Sequence, residues 1–285
     1  MSQQAPPDEN VSEPSNIVAP VSARYRNYVL LILTGVYVFS FIDRQIITIL
    51  QESIKKDLGL SDTQLGLMSG FTFAVFYVTF GIPIARLADK GNRKKIITVS
   101  LIIWSAMTAL AGLAQNFLQL LLARIGVGIG EAGGSPPSHS MISDLYPPEK
   151  RATAMAIYSS GISVGILIGF IAGGWIDENY GWRTAFFVVG IPGILYSLLL
   201  YFTVKEPLRG LSENNKAGEA NHSIKDVLLL LWRSKSFRYL AVAAGLSAYA
   251  GYATTSWMPP FLSRVHGMKS DEIGYWLSLL FGIGG

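Results

Sequence analysis

Four ionisable side chains sit in otherwise apolar sequence: Asp43 and Arg44 within YVFSFIDRQIITIL, and Arg124 and Glu131 within LLLARIGVGIGEAGG. Two acids and two guanidiniums cancel when all are ionised. A proton on Glu131 would leave the set net positive, and an anionic group then becomes a natural partner for Arg124 and Arg44. The chemistry this offers is proton exchange coupled to anion recognition. Such charges are costly in lipid, roughly 2.5 to 3.5 kcal/mol each at the bilayer centre, so the four must pair or face water. Arg124 and Glu131 are seven residues apart, which returns to nearly the same helix face about 10 Å along the axis. Gly128 lies between them on that face, and a stripe without bulk reads as a cavity wall rather than a packing seam. For Arg124 a purely structural ion pair is a serious competing reading; for Glu131 the functional one is favoured, because intramembrane acids mark ion and substrate paths.

The elements that must carry these residues are membrane helices. The chain has 285 residues, 50% hydrophobic and 15% charged, against about 25% charged in soluble domains, and its mean hydropathy is +0.37. Seven complete apolar segments span residues 28–50, 64–85, 96–113, 117–141, 152–176, 185–204 and 239–262, each near the length a bilayer requires. An eighth begins near Ile273 and reaches Gly285, so the chain is expected to stop within its eighth helix. The absence of cysteine excludes disulfides, thiolate metal sites and thiol nucleophiles. Three scattered histidines make a histidine metal site improbable.

The basic pI has a topological explanation. Sixteen Lys and Arg residues fall in alternate loops beginning with the N-terminal side, and five in the opposite loops. This places the N-terminus in the cytoplasm by the positive-inside rule and removes nucleic acid as a partner. The expected organisation is a disordered cytoplasmic tail over 1–26, a six-helix bundle over 27–204, a cytoplasmic linker with an amphipathic helix over 205–236, and the start of a second bundle over 237–285. If the six spans are two repeats of three, the charged first and fourth correspond, as the site-bearing helices of repeat transporters do. The seventh span is next in that series and offers Tyr249, Tyr252 and Thr255 to line a cavity; Trp257 reads as an interfacial anchor. Glycines at 161, 165, 169 and 173, and at 126, 130 and 134, recur every four residues and read as close helix packing.

Between the second and third spans stands RLADKGNRKK, residues 86–95. It resembles the signature loop of the major facilitator superfamily through Asp89, Lys90, Arg93 and Lys94, with Ala85 and Asn92 where the general pattern has glycine. Arg124, Gly128 and Ala132 follow the Arg-x-x-x-Gly-x-x-x-Ala spacing of the same superfamily. With FIDRQ, GIGEA and SWMPPFLSRVHGM, the chain from about Tyr28 to Gly285 resembles its spinster-like branch, which is similar to lysophospholipid and sphingolipid transporters. The resemblance implies an all-α integral membrane fold, with a six-helix N-terminal bundle followed by the first one to two helices of a second. It also implies a coupling or substrate role for Asp43, Arg44, Arg124 and Glu131. An acid facing basic residues at a helix end suits a cytoplasmic latch, so Asp89, Lys90, Arg93 and Lys94 are the expected gate; a topogenic charge cluster is the plainer alternative. Asp144, Glu149 and Arg151 offer a second latch related to Asp89, with a solvated loop the favoured reading, and His139 offers a proton relay toward the cytoplasm, with a structural role favoured.

The resulting expectation is a proton-coupled secondary transporter of alternating access, acting on an amphipathic or anionic organic molecule such as a lysolipid or sphingolipid-like compound. A uniporter or channel for small organic anions, and a non-transporting receptor or assembly subunit, stay open as alternatives. No paired histidines or nucleophile triad suggest an enzyme. The expected partners are the bilayer of an inner or plasma membrane, protons and a small-molecule or lipid substrate; no cofactor and no metal are expected, and the state expected is monomeric.

Overall fold

In lipid every backbone N–H and C=O must be satisfied inside its own segment, so apolar runs of this length fold as helices. The computed structural model describes residues 21–210 and 224–284. Residues 211–223 of the expected linker (205–236) and the first twenty residues of the expected tail (1–26) lie outside the described residues. The first span is α1, Ala23–Ile49, whose N-terminus is capped by the Ser22 hydroxyl accepting from the Tyr25 amide. The helix therefore already includes Ala23 to Arg26, which the sequence reading gave to the tail. A short helix, α2 (Gln51–Leu58), follows and ends at Gly59, whose φ of 64° is the left-handed conformation glycine permits.

The second span comprises α3 (Asp62–Gly66), a π-helical turn over Leu67–Phe71 and α4 (Thr72–Lys90). The third is α5, Arg93–Ala111, capped by Asn92. The fourth, expected as one helix over 117–141, is two: α6 (Phe117–Glu131) and α7 (Ser135–Leu145). Pro136 and Pro137 have no N–H to offer to Ala132 and Gly133. The chain tightens instead into three-residue turns, Gly133 N to Gly130 O and Gly134 N to Glu131 O, and the break falls directly after Glu131. Then come α8 (Pro148–Tyr180), α9 (Trp182–Thr203), the short α10 (Ile224–Arg233), α11 (Lys235–His266) and α12 (Ser270–Leu277), which runs into a π-helical turn over Ser278–Ile283. Five of these spans are single helical stretches long and apolar enough to cross a membrane: α1, residues 62–90, α5, α8 and α9.

The glycine ridges do what the spacing suggests. A side chain at Gly161 would meet Thr34 and Tyr37, at Gly165 Val38 and Phe41, at Gly169 Ile42 and Gln45, and at Gly173 Ile46 and Ile49. Thus α8 lies against α1 along its length. Gly126 and Gly130 likewise admit Met107 and Trp104 of α5. Gly174 and Gly274 face each other, seating α12 on α8. Two apolar cores result, one around Ile46, Leu65 and Phe186, toward the α2 end of the helices, the other around Leu33, Trp104 and Tyr158. Large apolar side chains such as Leu31, Val78, Leu195 and Phe202 point outward, as a lipid-facing surface requires.

Candidate functional site

Glu131 ends α6 and is buried against α1. Its Oε2 accepts hydrogen bonds from Ser40 Oγ at 2.9 Å and from Arg44 Nε at 2.8 Å, both on α1. Its Oε1 is buried and has no hydrogen-bond partner among the described residues. Ser40 and Arg44 are four residues apart, one turn of the same helix face, so α1 brings a hydroxyl and a guanidinium to one carboxylate oxygen together. Arg44 also donates from Nη1 to Tyr252 Oη at 3.3 Å. Its guanidinium carbon lies over the rings of Phe41, Phe73 and Tyr77 at 5.0, 5.0 and 5.2 Å.

The other two charges of the quartet are placed differently. Arg124 is 1% exposed, stands 5.7 Å from the Phe73 ring centre, and has Nε and Nη1 buried without a hydrogen-bond partner. Asp43 is equally buried; it feels the charges of Glu131, Arg124 and Arg44 and lies beside the Thr108 hydroxyl of α5, with Oδ1 unbonded. The structure thus gathers all four charges but, among the described residues, closes one ion pair in the set, Arg44 with Glu131. The face bearing Gly128 is not an open wall: the backbone oxygen of Phe73 would stand 3.1 Å from a side chain there, so the glycine admits the second span.

Of the residues expected to line a cavity from the seventh span, Tyr252 joins the site through Arg44. Tyr249 is 76% exposed and Thr255 half-buried, and neither hydrogen bonds to the quartet. Farther out, α11 is fastened to the first bundle. Gln51 donates to the Ser256 carbonyl at 3.0 Å, Arg264 binds Glu52 at 2.6 Å and Asp62 at 2.7 Å, and Trp257 lies against Gly66. Asp177 accepts from both Ser53 and Ser270 at 2.6 Å, joining α2 to α12. At the same end the Arg183 guanidinium bonds Asp57 and holds its carboxyl below the usual range. From Trp232 to Tyr252, by contrast, every residue is exposed.

At the opposite end, where the linker begins, the cluster assembles around one of its expected members. Arg93 is fully buried and bonds Asp144, Glu206 at 2.7 Å, Ser140 at 2.8 Å and the Pro207 carbonyl at 2.8 Å. The Lys94 amide donates to Glu206 at 2.8 Å, and its ammonium lies 4.8 Å from the Tyr201 ring. Asp89 and Lys90 are exposed and form no ion pair among the described residues. The acids that face Arg93 come instead from α7 and from beyond α9, because Asp89 sits on the outer side of the last turn of α4. Asp144, read from sequence as loop, belongs to this cluster, and Arg209 donates to the Ala88 and Gly91 carbonyls, closing the C-terminus of α4.

Among known proteins, the sequence model of the Major Facilitator Superfamily matches residues 33–285. The chain belongs to this superfamily. A crystal structure described as a bacterial homolog of the human lysosomal transporter Spinster, inward-facing and unoccupied, superposes with a TM-score of 0.83 at 40% identity, covering 92% of this chain and 61% of that one. An MFS-type efflux pump of Mycolicibacterium smegmatis is 33% identical over 85% of this chain and 56% of its own length. A cis,cis-muconate transport protein of Acinetobacter baylyi is 27% identical over 78% of this chain and 54% of its own length. The chain therefore spans little more than half the length of these relatives. Within the superfamily it sides with the spinster-like branch, and its all-helical multi-pass architecture is the superfamily's fold.

Proposed function

We propose that this chain provides the first bundle and the opening helices of the second in a proton-coupled, alternating-access transporter of amphipathic or anionic organic molecules, lysolipid- and sphingolipid-like compounds among them. The observation that carries the reading is the buried Glu131–Arg44 pair beside the unpaired guanidinium of Arg124. Protonation of Glu131 removes the charge that holds Arg44. Two guanidiniums then share one buried neighbourhood, and a carboxylate or phosphate can satisfy both with charge-assisted hydrogen bonds. Departure of the anion restores the Arg44 pair and favours release of the proton, so each ligand's binding depends on the other's. With Asp43 ionised as well, the four charges sum to zero when Glu131 is ionised. The muconate transport protein among the relatives supports an anionic substrate by its name.

The proposed cycle has a gate at each end, with the N-terminus in the cytoplasm as the distribution of basic residues indicates. Arg93 with Asp144 and Glu206 orders the linker side, with Asp89, Lys90 and Lys94 around it. Arg264 with Glu52 and Asp62 ties the outer ends. Helix α11 is fastened outside and exposed along its inner half, an arrangement that suits a site opening toward the linker. The test is gradient-driven uptake by the full-length protein in proteoliposomes, compared with substrate exchange at equal pH. Glu131→Gln is expected to abolish the first and retain the second; an unchanged pH dependence in the variant contradicts the coupling role.

A further inference from the structure

Phe73 touches more of the charge centre than any mechanism above assigns to it. Its ring lies 5.0 Å from the Arg44 guanidinium carbon and 5.7 Å from that of Arg124, within the range of cation–π attraction for both. Its backbone occupies the space left by Gly128, midway between Arg124 and Glu131 on α6. Its ring also stacks on Tyr77, at 5.6 Å and 23°, which itself faces Arg44.

The local backbone explains how an aromatic residue of a lipid-facing span arrives there. Leu65 and Met68 are buried on one face of the second span, and a regular helix would continue that face with Phe71 and Thr72. The π-helical turn over Leu67–Phe71, closed by the Thr72 amide on the Leu67 carbonyl, inserts one residue. Everything after it is turned by about 100° relative to an uninterrupted helix. Phe71 is left 66% exposed, and Phe73, five residues beyond Met68, takes the inward position. Such single π turns frequently accompany functional sites.

We infer that Phe73 is a positioning residue of the coupling centre: its ring, shared by the two guanidiniums, holds Arg44 on Glu131 and keeps Arg44 and Arg124 apart until an anion bridges them. This rests on the transport reading for its purpose but not for its test. Without the ring face, Arg44 retains Phe41, Tyr77 and Tyr252 as alternatives and spends less time on Glu131.

The test follows the reactivity of Arg44 toward phenylglyoxal in the solubilised full-length protein, quantified by mass spectrometry against the exposed Arg86 as internal reference. Phe73→Leu and Phe73→Met are expected to raise the Arg44 rate about threefold or more, the scale of a lost cation–π contact. Phe73→Tyr should stay near wild type. Fluorinated phenylalanines at position 73 keep the packing and weaken the ring's negative face, so the rate should climb stepwise with fluorine content. A flat response to fluorination, or an equal rise in the Tyr variant, would show that the ring only fills space and would overturn the inference. The labelling needs neither substrate nor gradient, so it fails independently of the Glu131→Gln transport result.

Discussion

One oxygen of Glu131 holds two hydrogen bonds and the other none, and this asymmetry makes separate predictions for its neighbours. Ser40→Ala removes one donor to a buried carboxylate while Arg44 remains, so stability should fall by about 1.5 to 3 kcal/mol, read as a lower melting temperature, with coupling retained. Arg124→Lys keeps the charge but loses the planar fork that grips a carboxylate or phosphate on two sides. Anion affinity should drop by about tenfold or more in equilibrium binding to the full-length protein; wild-type affinity in this variant would remove Arg124 from the substrate's path. The four charges were legible because ionisable residues in an apolar run have few benign explanations. Ser40 was not singled out, though its spacing from Arg44 carried the signal. Phe73 had no such signal, since one phenylalanine among many in an apolar span says nothing of direction, and the inserted π residue cancels the periodicity that would have given it.

At the scale of the helices, glycine decides which pairs touch. A methyl group at Gly165 would stand 2.6 Å from Phe41 Cβ and 2.7 Å from the Val38 carbonyl, too close for either to remain in place. Gly165→Ala should therefore separate α8 from α1 and cost about 1 to 3 kcal/mol by overpacking. Gly245 in α11 has nothing within 4 Å of such a group. Gly245→Ala should be neutral or stabilise the helix by up to about 1 kcal/mol, and thermal unfolding of the two variants side by side checks the contrast. The four-residue glycine period was readable as packing without its partner, because spacing fixes a face and not what lies opposite it. The division of the fourth span was also written in the sequence: Gly133, Gly134, Pro136 and Pro137 follow Glu131 closely, yet no Asp, Glu, Lys or Arg interrupts the stretch up to Met141, and a reading for uncharged length draws one helix where the backbone needs two.

Across the whole molecule, the two ends of the helices are held by contacts between residues far apart in the chain. Glu206 meets Arg93 over more than a hundred residues and Arg264 meets Glu52 over two hundred; no local pattern announces either, whereas Asp89 drew attention from sequence through the signature-loop resemblance and its place beside the basic run. Arg93→Ala leaves two acids facing each other in a largely buried site and should cost about 3 to 5 kcal/mol. Asp89→Ala, at an exposed position, should stay within about 0.5 kcal/mol. At the other end, Arg264→Ala removes the ion pairs to Glu52 and Asp62, and spin-label distances between α2 and the C-terminal end of α11 should shift toward longer separations in the full-length protein.

Coupled transport as proposed requires protons and substrate to share Glu131. The most direct measurement is the internal pH of vesicles containing the full-length protein, recorded with an entrapped dye as an organic anion is added outside without an imposed pH gradient. Wild-type protein should change the internal pH in step with substrate movement, and Glu131→Gln should move substrate by exchange with no pH change. Substrate-linked pH changes of equal size in both proteins would contradict it.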